Sequence, residues 1–526
     1  MVNIARLLLP FISSTWPSQE SLSVEYGAVP RKSVAIIGTG SAGLAMVKTL
    51  LDLPAEVRQG LEISVYEERE NVAGVWLPDP RNVTPPEIPE TPLYPLLHTN
   101  TPVPFMSYPG FPFLPKTELY PSHEEIEAYH LRYAQHYNLL PFISFNHELR
   151  KASWSGTAEK GHWIVSILDR TSGVLHTKNF DHLVVASGNH HIPRIPTWEG
   201  QHDWIANTPS NRLKRRIVHS VYYREPTAFT GQSVLVVGNG ASGRDAASQV
   251  LKFAKEVFIS IRHENVDPID GVKIKPEISH FTANGVVFGD GTSIDPDVVI
   301  LGTGYELRKP FLERTGELLA DSSAHDNSSI AEGGLYTNLR YIFPLHRHIL
   351  SLSTSYPTNA LAFIGLPTYI PNCPSDVAQS LFAAHAIVNP SIFPPREELL
   401  QELAAYDEHL RSLGLDPYTN GHRMLLGTGP SDYQDELVDF LKEKGVIRDT
   451  GKKFVEGWRR DVYNYQALKR GWTRIRELGI GEEWTKDVET EAQWADLMWR
   501  INEWQERWER EQGLSFGRDP DLDLAG

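Results

Sequence analysis

Two stretches of the 526-residue chain decide its fold: Ser33–Leu50 reads SVAIIGTGSAGLAMVKTL, and Ser233–Val250 reads SVLVVGNGASGRDAASQV. Each begins with a short apolar run rich in β-branched residues, which is typical of a strand buried on both faces of a parallel sheet. Each continues with the pattern Gly-x-Gly-x-x-Gly and a helix start made of small residues. One such pattern is weak evidence, but two copies in the same strand–turn–helix context predict two dinucleotide-binding units of the α/β class.

The three glycines of each copy have separate physical tasks. The first permits a tight turn, the second lets backbone N–H groups approach a pyrophosphate, and the third brings the helix close to the strand. The start of the helix then offers oriented donors and the positive end of its dipole to the phosphates. The predicted contacts are Gly38, Gly40, Ser41, Ala42 and Gly43 in the first copy, and Gly238, Gly240, Ala241, Ser242 and Gly243 in the second.

The residue that ends the next predicted strand indicates which dinucleotide each copy binds. Glu67 follows the run Ile63–Tyr66, and a carboxylate there accepts hydrogen bonds from ribose hydroxyls and repels a 2′-phosphate. The first copy therefore predicts FAD or NAD. Arg262 follows the corresponding run Val257–Ile261, where a guanidinium suits the 2′-phosphate of NADP. A chain that holds two different dinucleotides has the plan of a flavoprotein reduced by NADPH.

Composition and charge exclude several other functions. The chain is 41% hydrophobic and 22% charged, as expected of a globular protein. Its formal net charge of −16 disfavours nucleic acid as a partner. No apolar run reaches the roughly 18 residues of a membrane span, and Arg6 and Pro10 interrupt the apolar stretch Ile4–Ile12, so we predict a cytoplasmic location. The histidines lack metal-ligand spacing, and no metal site is expected.

The chain contains one cysteine, Cys373. A pyridine-nucleotide disulfide reductase shares the two-dinucleotide plan but needs a pair of redox cysteines beside the flavin. That class of enzyme is therefore excluded. We expect Cys373, which lies between Asn372 and Pro374, to be a passive thiol in a loop.

Three further stretches carry a resemblance to a known family: Asn71–Trp76, Leu97–Pro102 and Gly302–Tyr305. They resemble landmarks of the flavin-containing monooxygenases, which are class B flavoprotein monooxygenases. Asn71–Trp76 resembles their Gly-Gly-x-Trp turn, with Ala73 in place of one glycine. Leu97–Pro102 resembles their active-site segment, and Gly302–Tyr305 resembles a later landmark. The landmarks follow one another in the family's order over Ser33–Pro390, which makes the resemblance specific.

The resemblance implies site residues and a reaction. Gly74, Val75 and Trp76 would join the first turn in holding FAD, and Ser220 would join the second turn in holding NADP. Asn100 would place its amide beside both the flavin and the nicotinamide, and it is the one catalytic residue that we predict. In the implied reaction NADPH reduces the flavin, O2 adds at flavin C4a, and the hydroperoxide gives one oxygen atom to nitrogen or sulfur of a small organic substrate.

Two alternatives stay open. The retained His219 and Tyr223 favour Baeyer–Villiger oxidation of a ketone, but the family's Phe-x-Gly-x-x-x-His linker has Leu213 and Arg215 in place of the Phe and the Gly. The second alternative is a non-catalytic dinucleotide sensor, against which Asn100 and the intact second turn argue. The identity of the substrate is open. The oligomeric state is open as well, and a homodimer is one of the states considered.

The motifs together predict two Rossmann-like dinucleotide-binding domains, with the NADP domain inserted into the FAD domain, and a helical C-terminal extension. We predict the FAD domain at 33–200 and 309–393, the NADP domain at 201–308 and the extension at 394–526. Within the extension, six residues recur at helical spacing, which predicts a helix packed on the core. They are Trp494, Leu497, Met498, Ile501, Trp504 and Trp508.

Overall fold

A computed structural model of the chain describes residues 31–262, 269–325, 333–424, 429–461, 465 and 467–514. The apolar stretch Ile4–Ile12 lies outside the described residues. Parallel sheets, the helices that cover them and a helical C-terminal region confirm the predicted α/β fold class.

The first sheet contains the first glycine pattern and has seven strands among the described residues. Lys32–Ile37 lies between Leu61–Tyr66 and His182–Val185 and is parallel to both. Its apolar residues Val34 and Ile36 are completely buried, as the continuous apolar run predicts. The strand order is Leu345–His346, Leu350–Ser351, Leu361–Phe363, His182–Val185, Lys32–Ile37, Leu61–Tyr66 and Ile143–Ser144.

The second sheet contains the second glycine pattern and has five described strands, which are all parallel. Two connections join it to the first sheet, and they run side by side where Ile192–Pro193 pairs antiparallel with Tyr305–Glu306. The domain boundaries given above stay predictions. The strand order is Lys273–Lys275, Glu256–Ser260, Ser233–Val237, Val298–Leu301 and Arg216–His219.

Smaller sheets and short helices surround these two sheets. Three further three-stranded sheets are described. Their strands are His147–Gly156, Gly161–Asp169 and Leu175–Phe180; Ile278–Thr282, Gly285–Phe288 and Ser293–Ile294; and Leu319–Ala320, Tyr336–Thr337 and Ile342–Phe343. The 3-10 helices are Gly74–Trp76, Leu140–Phe142, Ser220–Tyr222, Pro226–Phe229 and Pro390–Ile392.

The α-helices supply most of the remaining core. In the described ranges, none of them is both long enough and apolar enough to cross a membrane. They are Ser41–Leu51, Ala55–Arg58, Val103–Met106, His123–His136, Gln201–Ala206, Ala241–Val250, Pro310–Glu313, Asn372–Val388, Arg396–Ser412, Pro417–Asn420, Gly429–Glu443, Gly457–Asp461, Leu468–Glu477, Gly481–Thr485 and Glu491–Glu511.

The largest apolar core joins the first sheet to the C-terminal helices. The helices Ser41–Leu51 and Asn372–Val388 pack against each other, and both contribute to this core. The helix Glu491–Glu511 adds its buried Trp494, Leu497, Met498 and Ile501 to the same core. The helical spacing in the sequence therefore predicted these four buried residues, whereas Trp504 and Trp508 are only partly buried.

The prediction that Cys373 lies in a loop is wrong. Cys373 lies in the first turn of the helix Asn372–Val388 and is 3% exposed. Pro374 is tolerated there because the N–H groups of a first helical turn have no partner within the helix. Burial raises the pKa of the Cys373 thiol, which is the opposite of what an activated nucleophile needs.

Candidate active site

The first glycine turn closes tightly on the first sheet. Gly38 has φ +97°, and a Cβ atom on it would lie 2.6 Å from the carbonyl oxygen of Ala186. A Cβ atom on Gly43 would lie 1.9 Å from the carbonyl oxygen of Gly38, so only glycine allows this approach of helix to strand. The helix Ser41–Leu51 begins at Gly40 without a side-chain cap, which leaves the N–H groups of its first turn able to bind an anion.

Glu67 lies behind this turn and is 5% exposed. Its carboxylate accepts hydrogen bonds from the backbone N–H and the hydroxyl of Thr39, both at 2.8 Å, and from the backbone N–H of Arg69 at 3.0 Å. Burial raises the pKa of Glu67, and these hydrogen bonds oppose the shift. A carboxylate has about four acceptor positions, so capacity for a ribose hydroxyl is left.

The turn that contains Trp76 contacts the first glycine turn. The backbone N–H of Ala73 donates to the carbonyl oxygen of Thr39 at 3.2 Å, and a Cβ atom on Gly74 would lie 3.0 Å from Gly40 Cα. Val75 and Trp76 complete the 3-10 helix that starts at Gly74. The structure therefore brings the predicted FAD residues of both turns together.

Arg69 supports this turn and was missed by the sequence reasoning. Its buried guanidinium donates to the carbonyl oxygens of Leu77 and Pro78, both at 2.6 Å, and to that of Gly74 at 3.3 Å. It also lies 3.2 Å from the Glu90 carboxylate. The one sequence signal was a basic residue close behind the predicted ribose-binding Glu67.

The segment that carries Asn100 lies between the domain that contains the first sheet and the domain that contains the second sheet. On one side, Thr99 donates its N–H to the carbonyl oxygen of Pro121 at 3.0 Å. On the other side, Gln249 in the helix Ala241–Val250 donates to the carbonyl oxygen of Leu96 at 3.4 Å. Asn100 itself is exposed. Its amide can both donate and accept hydrogen bonds.

The second glycine turn repeats the first but leaves more space. Gly238 has φ +102°, and a Cβ atom on Gly243 would lie 2.1 Å from the carbonyl oxygen of Gly238. A Cβ atom on Gly240 would meet no atom within 4 Å among the described residues. The following helix Ala241–Val250 has no side-chain cap. This open, uncapped helix start fits a pyrophosphate.

Two further predicted NADP residues border this turn. The Ser220 side chain is buried, and its hydroxyl lies close enough to the Tyr305 hydroxyl for hydrogen bonding between them to oppose the rise that burial causes in the pKa of Tyr305. Arg262 follows the strand Glu256–Ser260 and is mostly exposed, with its Nε 3.2 Å from a Glu277 carboxylate oxygen. Arg262 is thus at the end of the strand, as expected of a 2′-phosphate contact.

The landmarks of the linker have structural hydrogen bonds. His219 Nε2 lies 3.0 Å from the carbonyl oxygen of Gly304, and its Nδ1 accepts from the N–H of Val221 at 3.1 Å. Burial lowers the pKa of His219 to about 4, so the ring is neutral at neutral pH with its proton on Nε2. Tyr223 donates its hydroxyl to Gln249 Oε1 at 2.9 Å. Both side chains therefore position the linker.

Arg215, which stands at the family's glycine position, is 2% exposed. It forms an ion pair with Asp295 at 2.5 Å and donates to the carbonyl oxygens of Ala283 at 2.8 Å and Trp204 at 3.0 Å. Here a buried guanidinium fixes the linker to the second domain, where a glycine would leave it free.

Lys309 is a second residue that the sequence did not indicate. It is 2% exposed, and its ammonium group donates to the carbonyl oxygen of Gly188 at 2.6 Å and to Asn189 Oδ1 at 3.2 Å. Burial lowers its pKa to about 7. Because Asn189 also donates to the carbonyl oxygen of Gly365 at 2.8 Å, Lys309 joins both interdomain connections to the first sheet.

Asp376 is a third residue that the sequence did not indicate, and it lies beside the start of the helix Ser41–Leu51. It is 2% exposed, and its Oδ2 has no hydrogen-bond partner among the described residues. Burial raises its pKa to about 7, although the Ser41 side chain opposes this by hydrogen bonding.

The described residues contain no group of three or more His, Cys, Asp or Glu side chains able to hold a metal ion.

Comparisons with known proteins agree with this geometry. The family model described as flavin-binding monooxygenase-like matches residues 31–266 and 269–447. The flavin-containing monooxygenase FMO GS-OX2 of Arabidopsis thaliana is 27% identical over 488 residues, which cover 87% of this chain and 91% of that protein. The chain is also similar to two solved structures. S-allyl-L-cysteine S-oxygenase from Allium sativum is 25% identical with a TM-score of 0.67, covering 91% of this chain and all of that chain.

The second solved structure supports the fold alone. Cyclohexanone monooxygenase from Rhodococcus sp. Phi1, bound to NADP+, is 13% identical with a TM-score of 0.51, and the match covers 79% of this chain and 98% of that chain.

Proposed function

Because the chain belongs to the flavin-binding monooxygenase-like family, and is thus an NADPH-dependent flavin monooxygenase that uses FAD, we propose that it transfers one oxygen atom of O2 to nitrogen or sulfur of a small organic substrate. The bound flavin supplies the redox chemistry, with the reactive oxygen carried as a C4a-hydroperoxide. The protein binds and orients both dinucleotides and excludes water.

The observation that carries this proposal is the placement of Asn100. Its segment contacts the first domain through Thr99 and the second through Leu96, which supports the proposed position of the exposed amide beside both the flavin and the nicotinamide. The two glycine turns would hold their pyrophosphates on either side. Glu67 would bind the ribose of FAD, and Ser220 and Arg262 would bind NADP.

Oxygenation at sulfur or nitrogen is favoured over oxidation of a ketone. The S-oxygenase from Allium sativum matches over 91% of this chain, whereas the cyclohexanone monooxygenase shares the fold alone. His219 and Tyr223, which favour the Baeyer–Villiger alternative, have backbone and side-chain partners in the linker. They therefore do not distinguish the two reactions. The cytoplasmic location and the homodimer stay predictions.

Stopped-flow absorbance tests the proposed function. The oxidised holoenzyme is mixed anaerobically with NADPH or NADH and then with O2. We expect fast reduction by NADPH and slow reduction by NADH, followed by a long-lived hydroperoxide spectrum that decays faster when a thioether or amine substrate is present. Reoxidation without this spectrum would indicate an oxidase, and a flavin that NADPH never reduces would indicate the non-catalytic sensor.

Substitution of Asn100 tests its proposed role. We expect Asn100→Asp to keep FAD bound but to lower the rate of substrate oxygenation by about 10²-fold, as loss of an oriented donor does elsewhere. Thr101→Ser, which changes the neighbouring side chain, serves as the control and should stay within a few-fold of the wild type. Equal oxygenation by Asn100→Asp and the wild type would show that the amide has no such role.

A further inference from the structure

A short part of the first domain enters the second domain just before Asn100. It starts in the first domain at Thr91, whose hydroxyl donates to the carbonyl oxygen of Val75, and it is back in the first domain at Thr99. Between these two points the chain forms the turn Tyr94–Leu97, which a backbone hydrogen bond of 3.0 Å closes. The turn is therefore tethered to the first domain at both ends.

The side chains of this turn belong to the core of the second domain. Tyr94 is 6% exposed and Leu97 is partly buried, and both pack in the apolar cluster that contains Val234 and Val236 of the second sheet. The Tyr94 ring also meets the Tyr223 ring edge to face, with the ring centres 5.1 Å apart. Withdrawal of this turn from the second domain would expose apolar surface to water, which is unfavourable.

Asp245 holds the hydroxyl end of Tyr94. The Tyr94 hydroxyl donates to Asp245 Oδ2, and the same oxygen accepts from Gln249 Nε2 at 2.9 Å. Burial, and after it the negative charge of Asp245, raises the pKa of Tyr94, so the phenol keeps its proton and is the donor. A hydrogen bond to a carboxylate is roughly twice as strong as one between neutral groups. Tyr94 is thus fixed both by its ring and by its hydroxyl.

This hydrogen bond links the two glycine turns through short paths. Asp245 lies in the helix Ala241–Val250, two residues after Gly243 of the second glycine turn. The segment of Tyr94 starts at its contact with Val75, which belongs to the turn packed against the first glycine turn. A shift of one domain against the other would therefore have to break the contact between Tyr94 and Asp245.

We propose that Tyr94 and Asp245 are positioning residues for the reduction of FAD by NADPH. In that step one hydride leaves NADPH, which becomes NADP+, and reduces FAD by two electrons. The pair acts through the protein: its hydrogen bond keeps the two nucleotide-binding turns in one relative placement, so that the nicotinamide and the flavin are aligned. A misplacement of about 1 Å can lower such a rate about 10²-fold. The inference rests on the use of FAD and NADPH and is independent of the atom that is later oxygenated.

Anaerobic stopped-flow reduction of the oxidised holoenzyme by a series of NADPH concentrations tests the inference. It gives the limiting rate of flavin reduction separately from the Kd for NADPH. Tyr94→Phe keeps the ring and removes the hydroxyl, and we expect it to lower the limiting rate about tenfold while FAD content and Kd stay within about twofold. Asp245→Ala should slow reduction at least as much. Asp245→Asn keeps an acceptor oxygen and should recover most of the rate.

The double variant Tyr94→Phe/Asp245→Ala tests whether the two residues act as one unit. It should reduce no more slowly than Asp245→Ala alone, because both changes remove the same hydrogen bond. If the two losses multiply instead, the residues act separately and the inference fails.

Tyr222→Phe is the matched control. The Tyr222 hydroxyl donates to the carbonyl oxygen of Glu87 at 3.0 Å in an exposed position, so this variant also loses a tyrosine hydrogen bond to the segment that precedes Asn100. It should be reduced at the wild-type rate, and slowing equal to that of Tyr94→Phe would overturn the inference. An unchanged limiting rate in Tyr94→Phe would also overturn it. A wild type that NADPH reduces normally but that oxygenates neither sulfur nor nitrogen would refute the proposed function alone.

Discussion

At the residue scale, Ala73 has a backbone conformation that favours glycine. Its φ is +91° and its ψ is −3°, and the residue is 1% exposed. The left-handed region costs a residue with a Cβ atom about 1–2 kcal/mol, and the resemblance showed that the family has glycine at this position. The strain therefore lies in the turn that contacts Gly40 of the FAD site.

We expect Ala73→Gly to raise the free energy of unfolding by up to about 1 kcal/mol, because relief of strain exceeds the extra entropy of the unfolded chain. The shift in apparent unfolding temperature, followed by flavin fluorescence, measures this. The control is Ala134→Gly in the helix His123–His136, which should instead lose about 1 kcal/mol. A loss of stability in both variants would show that Ala73 is not strained.

Asp376 predicts a dependence of stability on pH. Its folded-state pKa of about 7 lies above the ordinary 3.8, so the folded state binds the proton more tightly than the unfolded state. Stability from this group is complete below about pH 4 and is lost as the pH rises to about 7, with a slope of at most about 1.4 kcal/mol per pH unit.

Urea unfolding of Asp376→Asn between pH 4 and pH 8 measures this effect. The asparagine imitates the neutral acid, so we expect the variant to gain stability over the wild type as the pH rises. Asp439→Asn is the contrasting variant. Because the folded-state pKa of Asp439 lies below 3.8, the variant should be less stable than the wild type by a nearly constant amount from about pH 5 to about pH 8. The difference should shrink only as the pH falls below about 4. Burial alone would raise the pKa of Asp439, but hydrogen bonds from Lys442 and Lys453 lower it. Parallel pH profiles for the wild type and Asp376→Asn would contradict the assignment.

Local rules determine which residues could be predicted from the sequence. Gly38 and Gly43 follow from turn geometry that depends only on neighbouring residues. Lys309 and Asp376 could not be predicted, because their burial results from contacts with distant segments such as Gly188 and Ser41. A lysine or aspartate in the sequence does not reveal which carbonyl or hydroxyl will face it.

At the element scale, the second and the third glycine of a glycine turn differ in how much space surrounds them. Gly240 has φ −74°, which any residue can adopt, and open space around its Cβ position. Gly43 has a carbonyl oxygen 1.9 Å from its Cβ position. Gly243, the third glycine of the second turn, is as tightly packed, with a carbonyl oxygen 2.1 Å from its Cβ position. One methyl group should therefore have different consequences at the second and at the third glycine.

We expect Gly240→Ala to fold and to bind FAD normally but to lose NADPH affinity about tenfold or more, because the methyl group occupies the path of the pyrophosphate. Gly43→Ala should lose FAD or fail to fold. FAD content and an NADPH titration of the purified variants measure both effects. Normal NADPH binding by Gly240→Ala would place the pyrophosphate elsewhere.

The secondary structure was largely predictable where an apolar run or a helical spacing gives a clear period. The strands that precede both glycine turns and the helix Glu491–Glu511 are such cases. The start of the helix at Asn372 was not predicted, because proline in a first helical turn looks like a loop signal in the sequence. For this reason, a loop was wrongly predicted around Cys373.

At the scale of the whole molecule, the C-terminal extension supports the segment that carries Asn100. Arg459 is 4% exposed, donates to Ser107 Oγ at 3.1 Å and lies 3.3 Å from the Glu491 carboxylate. Ser107 follows the helix Val103–Met106, which begins just after Asn100. The sequence predicted helices here but gave no sign of what they would contact, because no motif marks the contact surface.

We expect Arg459→Met to lose about 2 kcal/mol of stability, since it leaves buried partners without their cation. It should also lower kcat several-fold with little change in NADPH affinity, because the Asn100 segment loses its support. Thermal unfolding and steady-state kinetics measure these effects. Arg500→Gln removes an exposed pair with Asp496 and should change stability by less than about 0.5 kcal/mol. If Arg459→Met and Arg500→Gln had the same stability and the same kcat, the extension would not support the active site.

The paired connections between the two sheets have a consequence for protein engineering and for descent. Since Pro193 lies directly opposite Tyr305, the chain leaves the first domain and returns to it at points only about 5 Å apart. A short turn could replace everything between them, and a foreign domain with neighbouring termini could be grafted there. The same geometry lets an ancestral protein with one dinucleotide-binding unit gain a second unit through one insertion, without cutting its original sheet.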